Sequence, residues 1–64
     1  MKLLIEMNLD NETFQNEDFL ENIENAISYA LGICRYEIQD EVETENAIFD
    51  SNGNTVGKLK IEIE

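Results

Sequence analysis

The chain has 64 residues and a net charge of −11, from fifteen Asp and Glu against four Lys and Arg, with no histidine. A folded surface of that composition repels nucleic acid and membranes and attracts basic proteins, so a basic protein partner is expected and direct nucleic-acid binding is not. The length suits one domain, residues 1–64, because so short a chain buries only about 60% of its unfolded surface, while an apolar content of 42% sets it apart from a disordered acidic tail.

Residues 2 to 9 alternate, with Leu3, Ile5, Met7 and Leu9 on one face and Lys2, Leu4, Glu6 and Asn8 on the other. That period predicts a half-buried strand. Its opening apolar run is interrupted at Glu6, far short of a signal peptide. No stretch reaches the length of a membrane span either. Asp10 to Thr13 form a polar break, and Phe14 reads as a plug packed back onto the sheet. Asn16 is the expected helix N-cap, with Glu17, Asp18 and Glu21 at the positive end of the dipole.

The expected buried stripe is Phe19, Ile23, Ala26, Ile27, Ala30, Leu31 and Cys34, extended by Ile38, at the spacing of an amphipathic helix lying on a sheet. Gly32 reads either as a C-cap or as an interior glycine. The stripe through Ile38 favours continuation to about Gln39. Residues 40 to 46 then read as a charged connector. Ala47 to Phe49 and Val56 to Ile63 flank Asp50-Ser51-Asn52-Gly53-Asn54, where Asn-Gly supplies the positive φ angles of a tight hairpin. In the last strand Leu59, Ile61 and Ile63 are expected to face inward, and Lys58, Lys60, Glu62 and Glu64 outward.

The predicted fold class is α+β, in the order β-α-β-β, with one helix packed on a three-stranded, antiparallel-rich sheet. A right-handed crossover and the short hairpin place the last strand between the first two, antiparallel to both. Leu4, with Ile48 or Val56, is expected on the uncovered face, and the two outer strands offer edges for a homodimer.

The chain resembles a group of short, acidic, mostly uncharacterised proteins of bacteriophages and mobile elements. The resemblance rests on Lys2 to Asn11, with its Leu-Asp-Asn ending, a phenylalanine soon after it, and Asp50 to Gly57, an Asp-x-Asn-Gly-Asn-x-Val-Gly hairpin. Glu21, Glu24 and neutral residues stand where that group is rich in arginine. The resemblance implies a common origin and fold more than an activity.

Candidate sites divide by chemistry. Asp50, Asn52 and Asn54 match the first three positions of a calcium loop, but Thr55 and Ile61 stand where the glycine and the bidentate glutamate belong, so a hairpin turn is expected and no metal. Cys34, the only cysteine, lies on the apolar stripe without a histidine to activate it, and reads as a small buried hydrophobe. It can form no intrachain disulfide, which suits the reducing cytoplasm of a host cell. Nucleophile, base and orienting group cannot be assembled, so no enzyme activity and no cofactor are expected.

The acids carry the remaining expectation. Glu17, Glu21 and Glu24, helped by Asp18, read as a row on the outer helix face whose charge density approaches that of a phosphate strand. Glu37, Asp40, Glu41, Glu43 and Glu45 continue it. These nine residues are the expected partner-binding set of an inhibitor that mimics nucleic acid against a host nuclease, restriction enzyme or CRISPR effector. The alternative is a structural or accessory protein, or a homo-oligomer, whose acids only solvate it.

Overall fold

The computed structural model describes residues 1–63. Strand β1 spans Lys2–Met7, a 3-10 turn Glu12–Phe14, helix α1 Phe19–Ile33, helix α2 Arg35–Gln39, strand β2 Thr44–Phe49 and strand β3 Thr55–Glu62. The sheet order is β1-β3-β2, with β3 antiparallel to both neighbours, as the sequence predicts. Glu64 lies outside the described residues.

Small residues on the helix meet large ones on the sheet. Ala26, Ala30 and Cys34 recur every four residues, so they form one narrow ridge. The ridge is buried with Phe14, Ile48, Val56, Leu59 and Ile61. Met7, Ile23, Leu31 and Ile38 pack around that cluster and stay half-buried. Phe14 is the plug expected of it.

The helix covers only part of the sheet. α1 packs on β2 and on the 3-10 turn. A helix is about 10 Å wide and strands are about 4.8 Å apart, so one helix shields two strands and leaves a third bare. The bare strand is β1. Leu3 and Ile5, expected inside, remain 45% and 40% exposed. Only Met7, nearest the hairpin, reaches the core.

Other boundaries move for local reasons. β1 stops at Met7, and Leu9 is exposed. The Asn16 side chain accepts from the Asp18 N–H at 2.9 Å, which closes a turn upstream and delays the helix until Phe19, with Asp18 as N-cap. Phe19 is consequently exposed. Gly32 is interior to α1, and the break falls two residues later, at Cys34 (φ −98°, ψ 19°). The hydrogen-bond ladder bridges that break, since the Cys34 N–H donates to Ala30 and its carbonyl accepts from Ile38. α2 ends at Gln39 as expected, then Glu41 takes a left-handed φ of 54°. The N–H groups of Glu41 and Val42 donate to the carbonyls of Ile38 and Glu37, a Schellman cap with glutamate where glycine is usual.

The expected connector is shorter, because β2 begins at Thr44, not Ala47. Its partner strand carries the irregularity. Ile48 pairs with Gly57 and Phe49 with Thr55, so Val56 is an extra residue. A bulge of this kind turns its extra side chain out of the strict alternation, and Val56 enters the core in place of the outer face. Ile48 is fully buried as well. In the hairpin only Gly53 has a positive φ, 84°, and its N–H donates to the Asp50 carbonyl at 3.1 Å. The connection is therefore a turn with Asp at its first position and Gly at its fourth, and Asn52 does not adopt the positive φ that a two-residue hairpin loop would give it.

Candidate functional site

The nine acids expected to bind a partner fall into three places. Glu17 and Asp18 lie in the turn before α1, while Glu21 and Glu24 are exposed on its first two turns. Because the helix begins at Phe19, Glu17 and Asp18 are not helical, and the expected three-carboxylate row on one helix face is reduced to Glu21 and Glu24. Glu37, half-buried on α2, and Asp40 and Glu41 at its cap form a second group, while Glu43 beyond them lies at the end of the sheet, where its carboxylate accepts from the Ile63 N–H at 3.4 Å. From Glu24 to the end of α1 at Ile33 the helix rises about 14 Å at 1.5 Å per residue, and the second group lies beyond that end. Glu45 belongs to neither group. It lies on the outer face of the sheet, where its carboxylate meets the Lys58 ammonium at 3.6 Å.

That outer face gathers most of the chain's cations. Along β3, Lys58 lies opposite Glu6, Lys60 between Leu4 and Glu45, and Glu62 opposite Lys2. Lys60 also reaches Glu62 at 3.4 Å. Both ion pairs are solvent-exposed and contribute little stability, on the order of 0–1 kcal/mol. Their consequence is electrostatic geography. Among the described residues three of the four cations stand here with Glu6, Glu45 and Glu62, and with Glu43 at the margin, while on the helices and turns Arg35 is the one cation among the other acids. The molecule is thus close to neutral on the outside of its sheet and anionic on its helix side. The signal was present in the alternation of Lys58, Lys60 and Glu62 with Leu59 and Ile61, once the strand pairing is known.

Asp50 is buried, and its carboxylate is engaged by its own hairpin. Oδ1 accepts from the N–H groups of Asn52 and Asn54 at 2.9 and 2.8 Å, and Oδ2 from the Asn54 amide at 3.3 Å. The Asn54 N–H foremost, with the Asn54 and Asn11 amides and the Asn52 N–H, holds this carboxyl below the ordinary Asp range, against an opposing effect of desolvation. Asp50 caps the turn. Cys34 is fully buried, and desolvation pushes its thiol above the ordinary value, with the Glu37 charge adding to the shift and a backbone hydrogen bond opposing it. It is a packing residue whose thiolate is disfavoured.

A shallow groove runs between α1 and the hairpin, lined by Asn22, Asn25, Tyr29, Phe49 and Ser51. Asn22 also donates to the Thr13 carbonyl at 2.6 Å, tying the helix to the 3-10 turn. Among the described residues no helix is long and apolar enough to cross a membrane. No protein-family model, no curated protein and no solved structure matches this chain.

Proposed function

We propose that this chain is a non-catalytic binding protein whose anionic helix side occupies a basic, nucleic-acid-binding surface on a protein partner. The observation that supports it is the segregation of charge. If acids served only solubility, they would be expected over the whole surface. Here the cations are concentrated on one sheet face, and the opposite side is left to carboxylates at both ends of α1. Glu21 and Glu24, joined by Glu17 and Asp18, make one contact group, and Asp40 and Glu41 the other, with Glu37 partly sheltered beside them and Glu43 at its sheet-side margin. Glu45, neutralised by Lys58, contributes least.

Acidic groups set toward the two ends of α1 fit a groove that holds a length of nucleic-acid backbone better than a single phosphate pocket. Occupying that groove would exclude the nucleic acid, which makes the chain an inhibitor. The resemblance to phage and mobile-element proteins directs the search toward host defence proteins, including restriction enzymes and CRISPR effectors, in the host cytoplasm. That direction rests on analogy, whereas the segregation of charge is a property of this chain itself.

The test is affinity capture from a bacterial lysate at low and moderate salt, with and without competing DNA. The expected result is a nucleic-acid-binding protein that DNA displaces and that triple reversal of Glu17, Glu21 and Glu24 to lysine releases. Partners indifferent to DNA and to the reversal would overturn the reading.

A further inference from the structure

β1 is an uncovered edge whose sequence is its own complement. Met1 to Met7 reads Met-Lys-Leu-Leu-Ile-Glu-Met, so apolar residues and opposite charges are placed symmetrically about Leu4. Leu3, Leu4 and Ile5 are 45%, 43% and 40% exposed, which leaves apolar surface on both faces of one strand. Exposed edges of that kind invite pairing unless charges, bulges or a cover prevent it. β2, the other edge, has such protection from Glu43, Glu45, an irregular ladder at Ile48 and Phe49, and α1 packed on it.

The hydrogen-bonding polarity of β1 is also known. The Asn8 N–H donates to the Val56 carbonyl at 2.7 Å. Backbone groups alternate in direction along a strand, so the even residues bond to β3. The N–H and C=O groups of Leu3 and Ile5 therefore point to the free edge.

We propose that a second copy of this chain docks here, β1 against β1 in antiparallel register centred on Leu4, making one continuous sheet. In that register Leu3 lies opposite the partner copy's Ile5, and each such pair exchanges both of its N–H···O bonds. Leu4 meets Leu4 on the outer face. Lys2 lies opposite Glu6, twice by symmetry. Shifting the register by one residue would set the covered face of one copy beside the outer face of the other. Shifting by two would set Glu6 against Leu4 and lose the charge pairing. The approach also occurs along an edge whose own charges, Lys2 and Glu6, cancel, so two chains of net charge −11 meet without bringing one acidic helix directly against the other. The two-fold axis is normal to the sheet, so both helices and their acids lie on one side of the dimer.

The measurement is sedimentation equilibrium of the full chain over a range of concentration and salt, paired with amide hydrogen exchange. The expected species is a dimer that tightens with added salt, in which the Leu3 and Ile5 amides exchange slowly. Lys2→Glu and Glu6→Lys should each weaken it by about tenfold, since each puts like charges opposite one another at two symmetry-related places, and the double variant should restore it. Ile5→Pro removes an N–H that β3 does not use, and should give a folded monomer. A monomer at all concentrations, a dimer whose Leu3 and Ile5 amides exchange freely, or charge swaps without rescue would each overturn the proposal.

Discussion

β1 and β2 flank the same central strand in the same antiparallel sense, yet one is built into the core and the other rests on its margin. β2 holds Ile48 fully buried under α1 and is tied to β3 by a hairpin whose cap is Asp50. β1 has comparable apolar residues, arrives through a long connection, and leaves Leu3 and Ile5 exposed. Similar alternation thus supports unequal burial. What separates the strands is which of them the single helix covers.

The sharpest test of the comparison is truncation at matched places. Ile48→Ala should cost about 4 kcal/mol in denaturant unfolding, from lost transfer energy and an unfilled cavity. Ile5→Ala, on the same face of the sheet, should cost less than about 1 kcal/mol at concentrations where the chain is monomeric. Equal costs would mean that β1 is covered after all.

Gly57 offers a way to detach β1 alone. A Cβ there would strike the Glu6 carbonyl oxygen and the Met7 Cα, both backbone atoms of β1. Gly57→Ala should therefore destabilise by about 3 kcal/mol, as overpacking against rigid backbone does. Exchange should quicken first at the β1 amides bonded to β3, with β2 following only on global unfolding.

The tether of β2 is sensitive to acid. Asp50 has a folded pKa below its unfolded one, so its contribution is complete above the unfolded value, near 3.9, and is lost as pH falls through the lower folded value. Asp50→Asn should lower the melting temperature at neutral pH, and the gap from the parent should close below about pH 4. A constant gap would show that shape, not charge, is what the turn uses.

The smallest effects lie in the segment that delivers the chain to β2. Glu41 holds a left-handed φ of 54°, which costs a non-glycine residue about 1 kcal/mol, and Gly32 sits exposed inside α1 with open space where a Cβ would go. Glu41→Gly and Gly32→Ala should each stabilise by about 1 kcal/mol in the same unfolding assay. Neither should alter β1.

Much of this was legible in the residues. The order of elements, the placing of β3 between its neighbours, the Phe14 plug and the burial of Cys34 follow from periodicity, turn residues and connection rules. The positive φ at Asn52, the helix start at Glu17 and the burial of Leu3, Ile5, Phe19 and Ile63 did not hold. Each failed because a neighbour outbid a local preference: Asp50 captured the hairpin amides, Asn16 closed its own turn, and the helix lay over β2. Of the nine acids, Glu45 lies on the outer sheet face beside Lys58 and Glu43 at the end of the sheet beside Ile63, positions that strand pairing alone reveals.

Local interactions act between residues near in sequence, so the sequence by itself determined which segments are strands and helix, where the chain reverses, and that the surface is acidic. Only the tertiary structure decided which strand is covered, that Val56 turns inward at the bulge, and that the cations gather on one face. Those outcomes depend on the width of one helix against three strands and on register between distant residues, which no local pattern records.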